Sequence, residues 1–384
     1  MTDNSQDSVD LPGLNALRFF AAFLVIVTHI ELLKGQLGFS NSLKFLEQFN
    51  LGGLGVYFFF VLSGFLITYL LIHEKEKTGT IKIKAFYIRR LLRIWPLYYF
   101  ITLLAFFILP NFEMMEIPWL QQFYHSNFTV NLVFFLLMLP NLAFALNPAV
   151  AHAGQLWSIG VEEQFYLIWP VLFKWTNNLF RLLVLLFVLV VGVKVLFILL
   201  LNSNTIPSSE NMLALKKFMA MSKFECMIIG AFGAYGVKYN SKKMLSIVYH
   251  PIVFGISLLS LPLMNYFSPE ILNDAIHLPY SVMFIVIILN VSTNKKGLML
   301  LENKFFNFLG KISYGLYMYH MMIVVFVIQM VAKIHGEIGL KENILIYFCS
   351  VGLSILVAWL SYEYFEKLFL KLKPKFTIVK SGKI

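Results

Sequence analysis

The sequence predicts an all-α polytopic membrane protein, with about ten transmembrane helices plus one re-entrant segment and both termini cytoplasmic. Three observations carry this reading. Apolar residues fill 59% of the 384 positions and charged residues 13%, against about 45–50% and about 25% in soluble domains. Apolar stretches of about 20 residues, the length that crosses the hydrocarbon, recur along the chain. Basic residues crowd some of the intervening segments and avoid others, which orients the stretches across the bilayer.

Spans are read at 14–33, 53–72, 93–110, 156–174, 180–201, 223–238, 246–264, 277–293, 313–332 and 343–365. Between the second and third lie Lys75, Lys77, Lys82, Lys84, Arg89, Arg90 and Arg93, so that segment is cytoplasmic. The first span then leads outward. The loop 111–128, with Glu113 and Glu116 and no Lys or Arg, lies outside. The apolar stretch 129–146, which holds Pro140 and Asn141, decides the rest. If it crossed, Lys174, Arg181, Lys238, Lys242, Lys243 and the basic tail from Lys367 to Lys383 would all face outward. If it dips in and returns, they face the cytoplasm, and irregular backbone is tolerated at that depth where protein or a water-filled cavity shelters it. The re-entrant reading is adopted, at the cost of placing Lys216 and Lys217 outside.

The chain divides into an N-terminal cytoplasmic tail (1–13), a membrane domain (14–366) and a basic cytoplasmic tail (367–384). The hydrophilic stretches are too short to bury a soluble core. The formal net charge of +11 reflects basic residues retained on the cytoplasmic side, and no nucleic-acid partner is expected. The first 13 residues carry Asp3, Asp7 and Asp10 but no Lys or Arg. They lack the basic start of a cleavable signal peptide, so the first span is expected to be retained. Cys226 and Cys349 have no metal or disulfide spacing and read as small buried hydrophobes.

Ionisable groups in spanning helices are costly and usually face a cavity or a partner. The first span has Arg18 and His29, about three turns apart on nearly one face and roughly 16–17 Å apart along the axis. Arg18 sits near the cytoplasmic end, where snorkelling to lipid phosphate is the plain alternative. His29 lies towards the outer half, where its alternative is a neutral histidine bonded to a neighbouring helix. Arg90 and Arg93 share a face at the start of the third span, and arginine forks suit phosphate groups. They serve equally well as an ordinary topology signal.

The segment from Gln155 through Trp157, Ser158, Glu162 and Glu163 to Tyr166 places two adjacent carboxylates near the start of an aromatic helix, close to the outer face. Neighbours on a helix point about 100° apart, so one pocket cannot take both equally. A helix N-terminus tolerates acids in any case. The segment from Gly310 through Ser313 and Tyr317 to His320 adds a second buried histidine, about 10 Å along its helix from Ser313. Gly52, Gly53, Gly55 and Gly64 read as close-packing positions.

Together these motifs resemble the acyltransferase 3 family of integral membrane O-acyltransferases, over nearly the whole chain. Five elements carry the resemblance, in the family's order. They are Arg18 with His29 after ten intervening residues, Gly55 to Ile67, Arg90 and Arg93 before Pro96, Trp157-Ser158 through Glu162 to Tyr166, and Ser313-Tyr314 to His320. Where the family often has an acidic residue, this chain has Tyr57, so no catalytic role is assigned there. Many relatives carry a fused extracytoplasmic hydrolase-like domain. The sequence to Ile384 does not include one, which weakens any inference about transfer through a second catalytic module.

The resemblance implies a multi-pass enzyme of the inner (cytoplasmic) membrane. It would move an acyl group from cytoplasmic acyl-CoA, usually acetyl-CoA, to a hydroxyl of an extracytoplasmic glycan or lipid-linked sugar, with the lipid bilayer as its setting and no metal. Arg90, Arg93 and Arg18 would hold the CoA phosphates. His29 would be the general base, and Glu162 would orient it or bind the acceptor, with Glu163 as second choice. Trp157, Ser158, Ser313, Tyr317 and His320 are further candidates. Direct transfer is favoured over an acyl-enzyme because no Ser-His-Asp order is present. The rival readings are a transporter of polar or anionic solutes, which intramembrane Arg, His and Glu would also suit, and a non-catalytic envelope scaffold.

Overall fold

A computed structural model describes residues 8–40, 49–202, 209–267, 275–294 and 301–381; Asp3, Asp7 and Lys383 of the expected tails lie outside them. The described residues form helices α1 (Leu14–Gln36), α2 (Leu51–Thr78), α3 (Ile83–Leu103), α4 (Pro118–Leu136), α5 (Pro140–Leu146), α6 (Leu156–Trp175), α7 (Leu179–Asn202) and α8 (Glu210–Met221). They continue as α9 (Phe224–Lys238), α10 (Lys242–Val248), α11 (Pro251–Phe267), α12 (His277–Ser292), α13 (Lys304–Lys311), α14 (Ser313–His335), α15 (Leu340–Ser361) and α16 (Lys367–Leu370).

Among the described residues, six helices are long and apolar enough to cross a membrane: Leu14–Gln36, Leu51–Thr78, Ile83–Asn111, Leu179–Leu201, Ser313–His335 and Leu340–Leu370. The pair α10 and α11, bent by 54°, makes a seventh if counted as one span. Three of the expected ten do not qualify by length and composition. Helices α9 and α12 have 15 and 16 residues, and α6 carries Glu162, Glu163 and Lys174. All three are lined by other helices rather than by lipid alone. Helix α2 packs against α9 with no room for a side chain at two crossings. A Cβ on Gly64 would lie 1.9 Å from the Met227 carbonyl oxygen, and one on Gly230 2.0 Å from that of Val61. Small residues that let backbones touch are how helices associate without a hydrophobic force between them. Helix α7 is the opposite case, apolar over Leu179–Leu201 apart from Arg181 and Lys194 and little buried, as a lipid-facing helix is.

The contested stretch 129–146 is not one continuous helix. It breaks between α4 and α5 at Met138, whose φ is +59°. The imidazole of His152 donates from Nε2 to the Met115 carbonyl at 2.7 Å, so the ends of the 116–151 excursion meet. The side-chain ties at the opposite face agree. Lys75, at the end of α2, donates to the carbonyls of Phe173, Lys174 and Thr176 at the end of α6. Lys238 at the end of α9 pairs with Glu76 at 2.7 Å. Arg89 donates to the Phe376 carbonyl at 2.7 Å, and Ser8–Val9 pairs in parallel with Lys380–Ser381. Lys174, Lys238, the described part of the tail and the described N-terminus therefore share the face of the basic segment 73–93, the arrangement that a returning 129–146 requires.

Candidate active site

Helices α1 and α14 run side by side from that basic face, and each carries polar side chains at two levels. At the lower level, Arg18 of α1 meets Arg90 and Arg93 of α3 and Lys373 of the tail in a cavity of about 130 Å³. Among the described residues none of these four cations has a carboxylate within 4.0 Å. Arg18 donates to Asn15 at 3.1 Å. The Arg90 guanidinium lies 5.6 Å over the rings of both Phe86 and Tyr166, and its buried Nε–H has no hydrogen-bond partner. Stacking fixes the plane of the fork while leaving its donors for a ligand. A buried donor without an acceptor is costly, and this constellation has the charge and free donors to suit an anion.

Glu162 lies in the same cavity. Its two oxygens accept from the hydroxyls of Ser63 at 3.0 Å and Tyr166 at 2.9 Å. Glu163 points elsewhere and accepts from the Trp95 indole at 2.9 Å. The expectation that one of these carboxylates orients His29 is therefore corrected: neither bonds to it. Because the excursion of α4 and α5 returns before α6 begins, the start of α6 sits at the level of the second histidine helix, and Glu162 falls a turn or two below it on the arginine side.

At the upper level, His29 opens onto a second cavity of about 420 Å³, lined also by Gln155, Trp157, His152, Trp119 and Lys217. His152 lies in the loop before α6, where burial lowers its imidazole to about 4. It is therefore held in the neutral form by burial, against the bond to Met115, which favours the charged form.

Between the cavities stands a thin hydrogen-bonded layer. The Tyr317 phenol bridges the Ser158 hydroxyl at 2.7 Å and the Gln155 carbonyl at 3.1 Å, and the Gln155 amide donates to the Met318 carbonyl at 2.9 Å. Just beyond it, His320 and His29 bond through Nε2 and Nδ1 at 3.0 Å. Proton accounting fixes this pair. His320 Nδ1 lies 2.7 Å from the Tyr317 carbonyl, which can only accept, so Nδ1 carries the hydrogen. In the neutral ring Nε2 then accepts, and the donor is His29 Nδ1–H. The lone pair of His29 is left on Nε2.

Residues 11–363 match a family model described as an acyltransferase domain. The chain belongs to the acyltransferase 3 family. It is 26% identical over 377 residues to O-acetyltransferase OatA of Staphylococcus aureus strain COL, covering 93% of this chain and 56% of that one. It is likewise 26% identical over 377 residues to O-acetyltransferase OatA of Staphylococcus aureus strain NCTC 8325, covering 93% and 56%. The chain thus spans a little over half the length of the curated relatives it matches. No solved structure matches it. Its long apolar helices make the chain a multi-pass membrane protein of this family.

Within this family fold, the sequence-derived candidates separate into three groups. Arg18, Arg90, Arg93, Glu162, Ser158, Ser313 and Tyr317 line the arginine cavity, and His29 and Trp157 line the histidine cavity. His320 joins the two levels from behind. Glu163 lines neither cavity.

Two features escaped the sequence. Lys373 gives no signal in a basic tail. The buried group formed by Lys194, Glu225, His277 and Lys223 did give one, because charges in apolar spans are rare. Glu225 accepts from Lys194 at 2.6 Å and bonds His277, whose other nitrogen lies 3.1 Å from Lys223. Tyr57, at the position where the family often has an acid, packs its ring against Lys223 and His277 in that group.

Proposed function

We propose that this enzyme O-acetylates an extracytoplasmic glycan or lipid-linked sugar with acetyl-CoA from the cytoplasm, His29 acting as general base. The observation that carries the reading is the meeting of two cavities at the Tyr317 layer, one rich in uncompensated cations and the other opening on His29. The arginine cavity suits the phosphates of CoA, and the thioester arm would pass Tyr317 to reach His29. The acceptor hydroxyl would give its proton to His29 Nε2 while its oxygen attacks the thioester carbonyl. The carbon–sulfur bond then breaks and the thiolate takes a proton, from the imidazolium or from water. The tautomer set by His320 supports this assignment, because it leaves Nε2 basic. Glu162 is read as part of the donor cavity, holding its polar wall through Ser63 and Tyr166. The names of the staphylococcal relatives favour acetyl as the group moved.

The same reading includes ten spans, with α6, α9 and α12 crossing alongside the more apolar helices. A helix sheathed by protein does not need the apolarity that lipid demands. Both termini are read as cytoplasmic from the basic face they share.

The experiment is mass spectrometry of envelope glycans from cells with the gene, without it, and with His29→Ala. An alkali-labile acetyl increment present only with the intact protein supports the reading. Identical spectra, with no acetyl-CoA turnover by purified protein, would overturn it.

A further inference from the structure

We infer that the segment following α16 is a working wall of the donor site, in which Lys373 supplies a fourth cation to the ligand's phosphate groups. The inference rests on the reading of the arginine cavity as the donor site. Lys373 lines that cavity together with Arg18, Arg90 and Arg93, although it lies about 280 residues after Arg93 in sequence. It arrives on a short 3-10 turn, Lys373–Phe376.

That turn is fastened rather than loose. Arg89 donates to the Phe376 carbonyl at 2.7 Å. Arg89 is itself held by Glu74 at 3.0 Å, so its charge is spent on positioning the turn. The Thr377 hydroxyl donates back to the Lys373 carbonyl at 2.9 Å. Further on, Lys380–Ser381 pairs with Ser8–Val9, which closes the strap across the mouth onto the segment that leads into α1 and Arg18. Both ends of the strap are thus tied to elements that carry the other cations.

The electrostatics argue against a purely structural lysine. Burial and the neighbouring Arg93, Arg90, Arg89 and Arg18 lower the Lys373 ammonium to about 7. A basic side chain placed among like charges, with no carboxylate within 4.0 Å among the described residues, is unfavourable until an anion arrives. With Glu162 and Glu366 the only carboxylates lining this cavity and the adjoining cleft among the described residues, the site keeps a surplus of positive charge. A polyanion such as the CoA diphosphate and ribose phosphate relieves it.

The test is CoA binding to the full chain, purified in detergent, by titration calorimetry at pH 6.5. Wild type, Arg90→Ala, Lys373→Ala, Lys373→Gln and Lys373→Arg are compared. The inference expects Lys373→Ala and Lys373→Gln to weaken CoA about tenfold and to reduce the dependence of affinity on salt by roughly one ion. Lys373→Arg should stay within about twofold. If Arg90→Ala weakens binding while Lys373→Ala and Lys373→Gln match wild type, the inference fails and the donor-site reading stands. Equal losses in all three Lys373 variants would also overturn it, because charge would not be what matters. If wild type binds no CoA, the donor-site reading falls and takes the inference with it.

Discussion

The two cavities on either side of Tyr317 are built by different means. The arginine cavity is walled by side chains from α1, α2, α3, α6 and α14, and four cations converge there. The histidine cavity is roofed largely by the loop 147–154 and by Lys217 of the short helix α8, and Lys217 is its one charged lining residue among those described. Rigid helices suit a ligand that never changes, as the anionic donor proposed above would be. Loops tolerate substitution without disturbing the scaffold, so on the proposed reading the acceptor side is where members of one family can diverge in what they acylate. Aromatic faces such as Trp119 and Trp157 suit a sugar better than fixed charge does.

The sharpest way to test that division is to remove one function at a time. His29→Ala should lower acyl transfer by about 10²–10⁴, the usual share of a general base, while CoA binding stays unchanged in calorimetry. Loss of both together would mean the cavities are not separable. Arg90→Ala with Arg93→Ala should do the converse. The KM for acetyl-CoA should rise about 10- to 100-fold, the cost of one or two charge-assisted hydrogen bonds, with kcat less affected in a thioester-release assay. His320→Ala should cost about tenfold to a hundredfold in kcat by freeing the His29 tautomer, and His320→Gln, which can still accept from His29, should recover part of it.

A smaller effect follows from pH. Lys373 lies outside the spans at about 7. Facing it are Arg18 from α1, Arg89, Arg90 and Arg93 from α3, Glu162 and Tyr166 from α6, and Tyr314 from α14. The free protein carries the Lys373 charge below about pH 7 and sheds it above. An anionic donor favours the charged form, so binding above that pH must take up a proton. CoA affinity should therefore fall as pH rises from 7, by at most about tenfold per unit, and Lys373→Arg should flatten the profile. The smallest expected change tests the scaffold. Gly64→Ala forces α2 and α9 apart and should destabilise the chain by about 1–3 kcal/mol, read as a lower melting temperature with the two cavities' ligand preferences intact.

Much of this molecule was legible from side-chain chemistry placed in an apolar background. Arg18 and His29 stood out because charge in a spanning helix is expensive, and helical geometry alone put them on one face. Gly64 marked a close helix crossing for the same kind of local reason. The basic segment 73–93 carried the expectation of which face is cytoplasmic. Glu162 was misplaced relative to His29, however, because its depth depends on where α6 begins, and that is set by the break at Met138 and the His152–Met115 bond. Local sequence carries no record of either contact.

By itself, then, the sequence determined the helical membrane class, the family and the identity of most polar candidates, since each follows from composition or from spacing within one helix. Only the tertiary structure decided which candidates share a cavity, which nitrogen of His29 is basic, and that Lys373 belongs with arginines far from it in the chain. Those are properties of separate helices brought into contact, and a contact between distant segments is fixed by packing rather than by any residue's own neighbours.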